Sequence, residues 1–216
     1  MKRFAVALTA SMLIVSNLAA AELSAQDLDK RRKALQDLLH EQWEYTLRTQ
    51  PEFASILGDK RYNDRSSDVS EAAQRKDAAE SRRFLRRFEA IGTAGFSEQE
   101  TLDKVLMVRY LRDNLEDYEL KEWEMPVTQI SGIHLFAAQF PSLLTFTGAK
   151  DYDDYVKRMR AFPKQMDDTI AIMRGGMKDR LMPPKFLLEK VAAQASGIAA
   201  EAPEKTPFAQ PLQSFP

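Results

Sequence analysis

His40 and His134 are the only histidines in 216 residues, and the chain has no cysteine. That excludes thiolate metal sites, disulfides and a cysteine nucleophile, and one copy cannot build a three-histidine zinc site. His40-Glu41-Gln42-Trp43-Glu44 opens like a zincin helix, in which histidines at i and i+4 share one face and grip zinc. Here i+4 is Glu44. A His/Glu pair needs further ligands from elsewhere, and the plainer reading is a half-exposed helix face carrying a His–Glu contact. No metal ligand, cofactor-binding residue or catalytic residue is assigned in this chain. His134 stands in an apolar stretch containing glycine. A histidine there is a hydrogen-bonded structural residue or an acid–base group. With Gln129 it forms the pair of candidates for lining a substrate pocket, with Ser131 beside them.

The carboxylate clusters read more simply. Asp151-Tyr152-Asp153-Asp154 falls at a helix start, where negative charge is favoured by the helix dipole. It and Asp167-Asp168 lack the alternating ligands and turn glycine of a calcium loop. Arg82, Arg83, Arg86 and Arg87 are interleaved with Glu80 and Glu89, which is the pattern of a solvated face. Lys+Arg is 31 against Asp+Glu 32, so no nucleic-acid partner is expected. There is no P-loop, GxGxxG or G-x-S-x-G.

The elements that must position these residues are helical. Lys2-Arg3, the uncharged run Phe4–Val15 and Ala19-Ala20-Ala21 have the layout of a secretory signal peptide. The run is too short to span a bilayer comfortably. The expectation is an exported chain, periplasmic or secreted after cleavage near Ala21, with no membrane span. Residues 22–202 read as one helical domain and 203–216 as a proline-rich tail. Leu28, Leu35, Leu38, Leu39, Trp43 and Leu47 share a face, and Pro51 ends or restarts that helix. Residues 58–70 are a polar loop. Asp68 with Glu71 has capping-box spacing, and Ser97-Glu98-Gln99-Glu100 is a better box. Residues 127–149, the most apolar part of the mature chain, predict short helical turns in a buried connection.

Tyr152, Tyr155, Met159, Phe162, Met166, Ile170, Met173 and Met177 recur every three or four residues. They predict one long helix with these side chains as its packed stripe, kinked at Pro163 and continuing through it. A last helix is expected over roughly Lys185 to Ala200, and the tail cannot be helical throughout. The fold class is all-α, an irregular helical bundle or array.

Several phrases resemble the bacterial domain-of-unknown-function family numbered 885. They are ASILGDKRYNDRSSDVS at 54–70, TLDKVLMVRYLRDNLEDYEL at 101–120, PVTQISGIHLFAAQFP at 126–141, the stretch from Asp151 to Pro184, and TPFAQPLQSFP at 206–216. Within them, LGD-x-RY-x-D and Y-x-x-R-x-x-AFP carry the most information. The resemblance implies the N-terminal part of a larger, exported, zincin-like helical fold belonging to a metallopeptidase or metallohydrolase. The family's HExxPGH-like zinc helix has no counterpart here, so no catalytic residue transfers. The expected cofactor is none in this chain and zinc in a full-length parent. The expected partners are the missing C-terminal half of the fold and a peptide substrate. On this reading the chain is an N-terminal fragment that walls one side of a substrate cleft. The alternative is a non-catalytic periplasmic module that binds a peptide or protein through the apolar segment 127–149.

Overall fold

The computed structural model describes residues 2–213 and Phe215, with side chains from residue 24 onward. The side chains of the expected leader at 1–21 lie outside what is described. Among the described residues there are eight α-helices and no strand: α1 (Lys2–Thr49), α2 (Pro51–Ile56), α3 (Glu71–Glu89), α4 (Glu98–Glu119), α5 (Ile133–Gln139), α6 (Ala149–Asp179), α7 (Lys185–Ala199) and α8 (Gln210–Gln213). The chain is all-α. Among the described residues no helix is long and apolar enough to cross a membrane.

The chain divides into two compact units. One comprises residues up to Gln42 together with Arg82–Arg112, and the other Trp43–Ser81 with Asp113–Pro216.

In the first unit, Leu35, Leu38, Phe84, Phe88 and Leu111 are buried. Arg31 Nη1 donates to the carbonyls of Gly92 and Ala94, both at 2.8 Å, satisfying backbone left over where α3 ends. Arg87 forks onto Glu41 at 2.7 and 2.6 Å, and Arg83 joins it at 3.2 Å. Arg83 and Arg87 of the cluster are therefore engaged rather than merely solvated. The box at Ser97 forms in both directions: Ser97 N–H donates to Glu100 Oε2 at 2.7 Å, and Glu100 N–H to Ser97 Oγ at 3.2 Å.

In the second unit, Pro51 restarts the chain as the first residue of α2, where its missing N–H costs nothing. The expected cap at Asp68 is displaced by two residues. Ser70 caps α3 by accepting from Ala73 N–H at 3.3 Å, while Asp68 accepts from Ser70 N–H at 3.0 Å and shapes the turn before it. The short aspartate side chain closes on its own backbone two residues on, so the serine is left to meet the helix.

α6 runs unbroken through Pro163. Its buried line differs from the apolar stripe. Tyr152, Tyr155, Arg158, Thr169, Ile172 and Gly176 are buried, whereas Ile170 and Met177 are exposed. The helix faces its neighbours with several polar or small residues, and a reading by hydropathy passes over those types. Gly176 permits a close approach: a Cβ there would lie 2.7 Å from the carbonyl oxygens of Glu124 and Leu181.

Segment 127–149 is only partly buried. Val127, His134, Phe140 and Pro141 are buried, yet Ile130 is 81% exposed and Leu143 47%. The segment was expected to be a buried connection, but α5 and the 3-10 turn that follows it present one face each to the interior. The tail forms short turns and α8, clasped to α6. Tyr155 OH donates to the Phe208 carbonyl at 2.9 Å, and the Phe162–Phe208 and Tyr152–Phe215 rings meet at 5.8 and 5.0 Å.

Asp151 ties down the start of α6. Asp151 accepts from Lys60 Nζ, Thr147 N–H, Thr147 Oγ1 and Gly148 N–H at 2.7–3.2 Å. The Lys60 ammonium, then the Thr147 amide, hold its carboxyl well below the usual carboxylate range. A depressed folded-state pKa contributes stability that is fully present above the unfolded value of about 3.9 and is lost progressively as pH falls below that value towards the depressed folded one. Urea midpoints at pH 6 and pH 3 are expected to differ less in Asp151→Asn than in the wild type. An unchanged difference would show that Asp151 does not contribute.

Candidate functional site

The second unit contains a half-open cavity of about 410 Å³. Three stretches of chain supply most of it, with Gln74 added from α3. α2 and the loop after it supply Glu52, Ser66, Ser67 and Val69. The 3-10 turn Glu122–Glu124 and α5 supply Trp123, Ile133, Phe136 and Ala137, followed by Phe140. α6 supplies Arg158, Met159, Phe162, Gln165, Thr169 and Ile172. From Met159 onward the α6 residues fall at intervals of three and four, with Arg158 beside Met159, so one helical face supplies this wall. The lining is mainly apolar and aromatic, with a few convergent polar groups, which is the make-up of a small-molecule or side-chain site.

Arg158 organises the polar end. It is 4% exposed. Its Nε donates to the Arg65 carbonyl at 2.6 Å. Its Nη2 donates to the Tyr62 carbonyl at 2.9 Å, Ser55 Oγ at 3.0 Å and the Pro51 carbonyl at 3.4 Å. The guanidinium carbon lies 4.9 Å from the centre of the Phe140 ring. No carboxylate touches it, and burial lowers its pKa. Glu52 is anchored separately. It accepts from Ser67 N–H at 3.0 Å, from Ser67 Oγ, and from Gln165 Nε2 at 3.3 Å.

The residues expected to line a pocket lie elsewhere. His134 is buried, and its Nε2 meets Gln194 Oε1 on α7 at 3.2 Å, while Gln194 Nε2 donates to the Gln129 carbonyl at 3.0 Å. Gln129 and His134 are thus brought together through Gln194, behind the wall that Ile133 and Phe136 present to the cavity. His134 Nδ1 and Gln129 Oε1 are buried without partners.

His40 is exposed, and the Glu44 carboxylate is forked by Arg61 at 2.7 and 3.0 Å. Among the described residues no group of three or more histidines, aspartates or glutamates could hold a metal ion.

A second, smaller cavity of about 290 Å³ shares Trp123 and Ile172 with the first and is lined by Lys121, Glu124, Asp168 and Asp179. Lys121 bridges Glu124, at 3.3 Å, and Asp179.

Sequence reasoning passed over Arg158, Glu52, Ser66 and Gln165. One signal was available: Arg158 is the arginine of the Y-x-x-R-x-x-AFP phrase, and Tyr62 belongs to the LGD-x-RY-x-D phrase. The two phrases meet in the bond from Arg158 Nη2 to the Tyr62 carbonyl. A family model described as "Bacterial protein of unknown function (DUF885)" matches residues 51–216. The chain belongs to that family, and every cavity-lining residue lies within the matched span. No curated protein matches it.

Proposed function

We propose that this chain supplies the substrate-binding wall of an exported, zinc-dependent hydrolase acting on peptides, and that its cavity receives an apolar side chain of the substrate. The observation that carries this reading is the cavity itself: about 410 Å³ of mainly apolar and aromatic wall with Arg158 and Glu52 at its polar end. A Phe- or Leu-sized group gains about 1.5–3 kcal/mol on leaving water for such a site. The chain's own residues bind and orient. The zinc and the chemistry it supplies, polarising a carbonyl and activating water, are assigned to a C-terminal portion of the family fold, because the HExxPGH-like zinc helix has no counterpart in this sequence.

Two measurements test this. A neutral naphthylamine dye is expected to bind the purified chain saturably and to be displaced by peptides with aromatic or branched side chains but not by polar ones. Ala137→Trp, which fills the cavity, is expected to abolish binding. A dye that A137W binds as well as the wild type sinks the cavity reading. Metal analysis is expected to find well under one zinc per chain, with no peptide cleavage by the chain alone. Stoichiometric zinc that is lost in His40→Ala would place the metal here and overturn the division of labour.

A further inference from the structure

The smaller cavity carries a carboxylate that the fold leaves half satisfied. Glu124 lines it and does not line the larger one. The Glu124 side chain is 6% exposed. Its Oε1 has Lys121 Nζ at 3.3 Å, whereas its Oε2 is buried with no hydrogen-bond partner. The Lys121 ammonium is shared, because it also pairs with Asp179 on the same lining. The other two carboxylates there are engaged separately, Glu71 by Arg75 and Asp168 by Lys164. Lys178 lines the cavity too, but it pairs with neither Glu124 nor Asp179. A buried carboxylate oxygen without a donor is costly until a donor meets it.

The carboxylate is fixed and its lysine is not. The turn Glu122–Glu124 lies against α6 at Gly176, where a Cβ would sit 2.7 Å from the Glu124 carbonyl oxygen and 3.2 Å from Glu124 Cβ. That close approach holds the backbone that carries Glu124. The Lys121 side chain is 45% exposed. Its backbone is left-handed, with φ 57°, a conformation that a lysine adopts at a cost. The ammonium can stay on Asp179 and leave Glu124 to another cation.

The cation that fits is organic. Among the described residues no three histidines, aspartates or glutamates converge on one point as a metal ion requires. The cavity holds about 290 Å³ and places Trp123, Ile172 and Gly175 beside the charged groups. Such a wall suits an alkyl stem that ends in a charge. Trp123 and Ile172 also line the larger cavity, so the two adjoin. We infer that the smaller cavity is a second subsite, which takes the ammonium or guanidinium group of a basic side chain, with that group donating to Glu124 Oε2. The ligand class then narrows to peptides that carry a basic residue close to an apolar one. Calling the ligand a peptide rests on the cavity reading above, whereas the preference for a cation rests on the smaller cavity alone.

The test uses the whole chain and two probes of one shape, N-acetyl-argininamide and N-acetyl-citrullinamide. The first ends in a guanidinium and the second in a neutral urea. Binding is read from the indole N–H resonance of Trp123, which lines the cavity. The arginine probe is expected to bind about fivefold tighter, the scale of one partly exposed ion pair. Equal affinities, or no shift with either probe, overturn the inference. Glu124→Gln is expected to abolish the difference, and a difference that survives in E124Q overturns the inference as well. Because that variant alters a buried group, Lys121→Asn gives a second reading. Asparagine tolerates the left-handed backbone, and the change removes the chain's own competing ammonium. The arginine probe is expected to bind K121N severalfold tighter than wild type, with the citrulline probe unchanged. Unchanged or weaker binding of the arginine probe overturns the inference. Failure of the naphthylamine dye to bind defeats the larger-cavity reading instead and leaves the preference between the two probes intact, so the two failures are distinguishable.

Discussion

Arg158→Ala is expected to destabilise the unit that holds the cavity by about 3–5 kcal/mol, the range for stripping one partner from a buried charged network. Arg158 joins α6 to chain some hundred residues earlier in sequence, donating to the carbonyls of Pro51, Tyr62 and Arg65 and to Ser55 Oγ. Truncation strands these acceptors away from water, at about 1–3 kcal/mol for a buried group left unsatisfied, and removes the plane that covers Phe140. The costs are not additive, because relaxation and water entry recover part of them. In a chain of this size the loss corresponds to a fall in melting temperature of about 10 °C. Arg158→Lys is expected to rescue little, since a single ammonium cannot reproduce a planar fork with donors on separate nitrogens. A melting temperature within a degree or two of wild type in R158A would show that the network does not hold the unit together.

The second large effect is expected at Gly132. Its φ of 128° and ψ of 167° lie in a region populated essentially only by glycine, and holding another residue there costs about 1–3 kcal/mol. A Cβ would lie 2.9 Å from Val127 Cγ1, 3.0 Å from Val127 Cα and 3.1 Å from His134 Nδ1. Overpacking of that kind costs about a further 1–3 kcal/mol. Gly132→Ala is therefore expected to lose about 3 kcal/mol in denaturant unfolding. It should also weaken dye binding, because Gly132 and Ile133 both line the cavity. Gly175 is the control. A Cβ there meets nothing within 4 Å, so Gly175→Ala inside α6 should gain up to about 1 kcal/mol. Equal losses at both positions would mean that glycine content, not the close approach at Gly132, sets the stability.

The helices were largely legible because their signals are local. The box at Ser97 needs only four residues, and the α6 spacing survives Pro163, because register along a helix depends on counting and not on tertiary partners. The helix expected last, over Lys185 to Ala200, is found at Lys185–Ala199, with the single turn α8 following it in the tail. The site was far less legible. Gln129 and His134 attracted attention by residue type, yet their partner is Gln194, 60 or more residues away, and no spacing rule points to it. Arg158 was hidden for the opposite reason. In a hydropathy pattern an arginine marks the solvent side, whereas this one is buried because backbone carbonyls take the place of water around it. Recognising it required knowing that the 51–65 segment returns to α6, which only the long-range arrangement contains.

The clasp of the tail on α6 makes Phe208 a natural reporter. Its ring meets that of Phe162, which lines the cavity, whereas Phe208 itself does not, so Phe208 lies one side chain from the cavity lining. A fluorine atom on that ring should change its resonance when the cavity fills, and occupancy could then be followed without altering a residue that touches the ligand.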